Sequence, residues 1–339
     1  MTVNNEGRST VRSADAVVDV RPGPGLMARV VALFCRAFVR PVILAWSHSW
    51  GLPWPYRALD LAATLLPAVR GTDRVRVHLR HCDAEYSRPA SVSPTATGAI
   101  LYLHGGAWLV GGLRSHRRLV SRLARGTGLP VLAVNYRKLP KAPMTASFED
   151  CLDGYRRLLA SGLRPENIAV VGDSAGGYFS LQLALEAARH GLPSPGAVAC
   201  MSPLVDVDPT SKLAARVVND PVFPRRAFTA MWDMALAAEP DPEAAATFLR
   251  HPVHASTAEL AALPPTLIQI GGDEILLPDA EDFAARLTAA GGDVRLEIYP
   301  GQVHVFQAAA DLVPEARRAI GSIVLHLDAA LGLRVRGAA

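Results

Sequence analysis

From Asp73 onward, short apolar runs alternate with amphipathic helical stretches, and this alternation constrains the fold more than any other feature. Val75, Val77 and Leu79 alternate with Arg76, His78 and Arg80 in the period-2 pattern of a half-buried strand. Apolar runs then recur at Ala99 to Leu103, Val131 to Val134, Ile168 to Val171, Ala197 to Met201, Leu267 to Ile270 and Val294 to Tyr299. Between them lie the helical patterns of Ser115 to Gly126, Phe148 to Ala160, Ala175 to Arg189 and Asp279 to Ala290. Strands that alternate with helices imply βαβ units, hence an α/β fold whose mostly parallel sheet is covered on both faces. In such sheets the functional groups gather beyond the carboxyl ends of the strands.

The alternation fails between Asp206 and His251, where Pro209, Pro221, Pro224 and Pro242 punctuate helical pieces. This predicts an inserted cap segment, 206–252, between two parts of a core, 71–205 and 253–339. Residues 26–70 read as N-terminal cap helices and 1–25 as a flexible tail that ends in the breakers Pro22 to Gly25. The two cap pieces together are expected to form a lid over the mouth of the sheet.

Half of the 339 residues are hydrophobic and 19% are charged, which is ample for a packed core and excludes a disordered chain. The net charge of +4 comes with scattered arginines and only three lysines, without a basic run interleaved with aromatics, so nucleic acid is not expected as a partner. Cys35, Cys82, Cys151 and Cys200 have neither metal-ligand nor disulfide-framework spacing, so no metal is expected and the thiols read as reduced. The first 25 residues lack the apolar stretch of a signal peptide, so the expected compartment is cytoplasmic. Leu26 to Ser47 is apolar apart from Arg29, Arg36 and Arg40, which share one helical face. This describes an amphipathic helix rather than a transmembrane span. The plain reading packs it on its own protein; a peripheral membrane contact through residues 26–47 stays open, as does a homodimer.

The run Ile168-Ala-Val-Val-Gly-Asp-Ser174-Ala-Gly-Gly177 carries the chemistry. A nucleophilic serine at a strand end needs a turn so tight that the residues two positions to either side, here Gly172 and Gly176, are glycine, with Asp173 inside the elbow. The helix that follows aims its free N–H groups at the reacting centre. The pattern alone is short enough to arise by chance. A second run, Leu101-Tyr-Leu-His104-Gly-Gly-Ala-Trp108, also follows a strand. A tetrahedral intermediate needs preorganised N–H donors, each worth about 3 kcal/mol of barrier, and the amides of Gly105, Gly106 and Ala175 are the candidates.

The serine needs a base and the base an orienting acid, in the chain order Ser, acid, His. Asp273 ends the buried run from Thr266 and is the expected acid; Glu274 is its neighbouring competitor, and Asp279 reads better as a first-turn helix residue. His304, in a loop after the last strand, is the expected base, whereas His326 sits in a helical run and reads as a packed histidine. Trp108, Tyr178, Phe223 and Trp232 are candidate substrate-binding residues, with Trp46, Trp50 and Trp54 as further cap aromatics. Each could equally serve the core.

With these motifs in order, residues 70 to 330 resemble the bacterial hormone-sensitive-lipase-like esterases of the α/β-hydrolase superfamily. The resemblance rests on His104-Gly-Gly-Ala107, Gly172-Asp-Ser-Ala-Gly-Gly177, the stretch from Leu263 through Asp273-Glu274, and the His304 loop. It implies an eight-stranded sheet, a helical cap, no cofactor, and hydrolysis of short-to-medium acyl esters through an acyl-enzyme. Two positions depart from the family pattern: Ala107 where glycine is common, and Tyr136-Arg-Lys-Leu-Pro-Lys141, with lysine where glutamate usually follows the proline. The rival readings are a small-molecule receptor on the same fold and an amidase or acyltransferase that uses the same triad.

Overall fold

The computed structural model describes residues 2–3, 9–13, 16–52, 54–63, 68–90, 97–215, 219–241 and 252–332. The parts of the expected tail and cap at 4–8, 14–15, 216–218 and 242–251, and the C-terminal 333–339, lie outside the described residues.

The core is a mostly parallel sheet. In chain order its strands are β1 (Thr2–Val3), β2 (Ser9–Ser13), β3 (Ala16–Val20), β4 (Thr72–His78), β5 (Asp83–Pro89), β6 (Ala99–Leu103), β7 (Val131–Val134), β8 (Ile168–Asp173), β9 (Ala197–Met201), β10 (Thr266–Gly271) and β11 (Val294–Tyr299). Their spatial order is β1-β2-β3-β11-β10-β9-β8-β6-β7-β5-β4. From β7 to β11 every pairing is parallel, whereas β5 runs antiparallel to both β4 and β7. Every residue of β6, β7, β8, β9 and β10 is buried, which is why these strands read as unbroken apolar runs. Alternate side chains feed two cores: Leu101 and Leu103 of β6 pack on one face, Ile100 and Tyr102 on the other.

Two features depart from the expectations. β5, Asp83–Pro89, carries no apolar run, and its buried Glu85 is matched by Arg117 at 3.2 Å, so its pattern hid a strand. The expected tail is also corrected, because β3 pairs in parallel with β11 and adds β1 to β3 to the eight strands of the core. Ala16-Val-Val-Asp-Val20 is β-branched enough to cover an edge that would otherwise present unpaired N–H and C=O groups. Arg21, 2.5 Å from Glu297, and the Gly25 amide, which donates to Glu315 at 3.1 Å, fasten the exit.

Helix α1 (Leu26–His48) contains one π-helical turn at Cys35–Val39. It is long and apolar enough, by length and composition, to cross a membrane, with a mean hydropathy of 1.7. The expected packing of this helix on its own protein holds only in part: Leu26, Val30, Leu33, Phe34, Phe38 and Val42 are exposed, as are Arg29 and Arg36, and Arg36 donates to the Asn219 carbonyl. The last turns of α1 pack against the helix Arg225–Ala238 above the carboxyl ends of the strands.

Candidate active site

Ser174 follows β8 directly and caps the helix Ala175–Glu186. Its backbone, at φ 52° and ψ −119°, is strained for a residue with a side chain and is clamped by neighbours. Its amide donates to the Met201 carbonyl at 2.8 Å, and its carbonyl accepts from the amides of Tyr178 and Leu204. The turn needs glycine because a Cβ on Gly176 would sit 2.0 Å from the Leu103 carbonyl oxygen.

His304, in the loop after β11, brings Nε2 to 2.8 Å from Ser174 Oγ and Nδ1 to 2.7 Å from Glu274 Oε2. A carboxylate only accepts, so Nδ1 carries the proton and Nε2 presents its lone pair to the serine hydroxyl. The acid is therefore corrected from Asp273 to Glu274. Asp273 is exposed, whereas Glu274, one residue later, turns inward, where its Oε1 accepts from Ser202 Oγ and the Gly271 amide, each at 2.6 Å. Burial works against charge on His304, yet the Glu274 carboxylate, by field and hydrogen bond, holds its pKa above the usual histidine value. Ser202 also accepts from the Val305 amide at 3.0 Å, tying the acid loop to the histidine loop. Sequence reasoning missed Ser202, whose one local signal is its position just after β9.

Ala107, Trp108, Ser174, Ser202 and Val305 are the non-glycine residues with positive φ among the described residues. All five lie in loops that build this site. Each costs about 1–3 kcal/mol, a strain the packed core beneath them maintains.

The expected oxyanion loop lies beside Ser174, but the role of Gly105 is corrected: its amide donates to Asp173 Oδ1 at 3.0 Å and is not free. No hydrogen bond among the described residues engages the amides of Gly106, Ala107 or Ala175. Asp173 is wholly buried and also accepts from Tyr102 Oη at 2.5 Å, with His116 Nε2 3.3 Å from its second oxygen. Burial opposes its ionisation, but His116, Tyr102 and the Gly105 amide together hold its pKa below the usual carboxylate value. The Asp173 carboxylate thus fastens the glycine loop to the elbow. Asp173→Asn is expected to lower the unfolding free energy by about 3 kcal/mol, because it leaves His116 buried without its counter-charge. Urea denaturation of the two proteins measures this, and an unchanged midpoint would refute it.

A cavity of about 360 Å³ opens over Ser174 and His304. Its wall includes Val42 and Trp46 of α1, Trp54, Leu109, Phe223 and Met231. Phe223 meets the His304 ring edge-on at 4.8 Å. The other three substrate-binding candidates are corrected. Trp108 and Tyr178 are buried core residues packed edge to face at 5.6 Å, and Trp232 is absent from the cavity wall, where Met231 stands instead. His326 packs internally against the Val198 carbonyl at 3.1 Å, and Asp279 lies in the first turn of its helix.

Residues 100–308 match the family described by its alpha/beta hydrolase fold. The chain is 40% identical over 305 residues to Esterase LipU of Mycobacterium tuberculosis, covering 87% of this chain and 99% of that protein. It is 38% identical over 308 residues to Carboxylesterase/phospholipase LipF of the same species, covering 89% and 81%. The solved structure of an esterase from the bacterial hormone-sensitive lipase family superposes with a TM-score of 0.77 at 30% identity, covering 92% of this chain and all of that one. Sequence motifs, sheet order and these likenesses agree: the chain belongs to the bacterial hormone-sensitive-lipase-like esterases of the α/β-hydrolase superfamily.

Proposed function

We propose that this chain is a serine carboxylic ester hydrolase that acts on short-to-medium acyl esters, acetyl esters among them, through an acyl-enzyme. The observation that carries this reading is the continuous line Glu274–His304–Ser174, with contacts of 2.7 and 2.8 Å. His304 Nε2 takes the proton of Ser174 Oγ as the oxygen attacks the ester carbonyl, and Glu274 stabilises the imidazolium that forms. The unengaged amides of Gly106 and Ala175, with Ala107 next in the loop, receive the negative oxygen. The imidazolium then protonates the leaving alcohol, and water, activated by the same histidine, releases the acid.

The size of the cavity and the sequence resemblance support a limited acyl chain. Among p-nitrophenyl esters, kcat/KM for palmitate is expected to be at least about tenfold below that for butyrate. A fluorophosphonate probe is expected to label Ser174, read as a mass shift on its peptide. A folded protein that neither takes the label nor turns over any ester would be a receptor instead.

A further inference from the structure

The chain contains only three lysines. Lys212 is neutralised inside the fold, its ammonium 2.6 Å from Asp279 and bonded to the carbonyls of Asp206 and Asp208. The other two, Lys138 and Lys141, both line a second cavity of about 760 Å³, and Arg114 stands on the same wall. None of these three cations has a carboxylate within ion-pair distance among the described residues. Lys138 is mostly buried, which draws its pKa down to about 8. Its ammonium donates to Asn135 Oδ1 at 2.8 Å and the Tyr136 carbonyl at 3.0 Å, which leaves one N–H uncommitted.

The acids and the remaining cation on this wall are already engaged. Asp83 lies 2.6 Å from His78, Asp60 accepts from the Ser115 amide at 2.9 Å while its field also favours the Lys138 ammonium without touching it, and Arg137 is paired with Asp150 at 2.9 Å. The second cavity also shares Trp54, Pro55, Tyr56, Leu109 and Val110 with the cavity over Ser174. An apolar compartment at the nucleophile thus adjoins a cationic one across a common wall.

We propose that the cationic compartment binds an anionic group, a carboxylate or a phosphate, carried by the ester whose carbonyl lies at Ser174. The inference rests on the ester-hydrolase reading. A partly buried ammonium that no carboxylate contacts directly gains more from an arriving anion than an exposed one does, because water screens it less. Neutral esters gain nothing from Lys138, Lys141 or Arg114.

Matched esters test this. For an anion on the acyl side, p-nitrophenyl hydrogen adipate is compared with p-nitrophenyl hexanoate. For one on the alcohol side, 4-acetoxybutanoate and 3-acetoxypropyl phosphate are each compared with butyl acetate, which separates carboxylate from phosphate. The quantity read is the charged-over-neutral ratio of kcat/KM within one protein preparation, so partial loss of folded enzyme cancels. The ratio is expected to fall at least about fivefold in one or more arms in Lys141→Glu, Lys138→Gln or Arg114→Gln, and in wild type as salt is raised. A smaller change in every arm for all three variants overturns the inference while leaving ester hydrolysis intact. Failure of the wild type to hydrolyse any of these esters overturns the ester-hydrolase reading instead.

Discussion

Ser174→Ala is expected to lower kcat for p-nitrophenyl butyrate by about a millionfold, with little change in KM. The size follows from how serine hydrolases lose activity when the nucleophile is removed: the amide donors and bound geometry still assist water, but no acyl-enzyme forms. The Ser174 hydroxyl stands 2.8 Å from the base, on a backbone held at φ 52° by three hydrogen bonds to its own peptide groups. Alanine keeps that backbone and loses only the oxygen, so binding should survive. Initial-rate kinetics on protein purified apart from host esterases provides the check. Retention of more than about 1% of wild-type kcat would mean that another group performs the attack.

The second large effect separates two adjacent acids. Glu274→Ala is expected to lower kcat about ten-thousandfold, the loss seen when the orienting acid of a triad is deleted, whereas Asp273→Ala is expected to change it by less than about threefold. The reason is geometric: Glu274 is wholly buried on His304, and Asp273 is exposed. The reverse ranking would restore Asp273 as the acid. The pH profile gives an independent readout. Because the base must be neutral and Glu274 raises the pKa of His304, kcat/KM should fall on acidification with a midpoint above 6.5, the ordinary histidine value. Glu274→Gln removes the charge that favours the imidazolium. Its remaining activity should therefore extend to lower pH, although the rate is reduced.

Much of the site was legible because its chemistry imposes local spacing. Gly172 and Gly176 bracket Ser174 since any side chain at those positions would strike backbone atoms, and this steric demand is visible in five consecutive residues. The His304 assignment needed only the order of elements, because loops after successive parallel strands open on the same edge of the sheet. β5 and β3 were not legible. Glu85 is tolerated inside β5 because Arg117 reaches it from a helix 32 residues away, and β3 becomes a strand only because β11 offers it an edge.

The sequence by itself determined the parallel sheet and the family and brought Ser174 and His304 forward as candidates, since periodicity and short motifs encode contacts between near neighbours in the chain. The tertiary structure alone decided between Asp273 and Glu274, because the direction of a side chain after a strand depends on Ser202 and Gly271, one of them 72 residues distant. It likewise withdrew Gly105 from the oxyanion donors, because Asp173, 68 residues later, occupies its amide. Such distinctions turn on single hydrogen bonds between segments remote in the chain, and those bonds exist only once the core has brought the loops together.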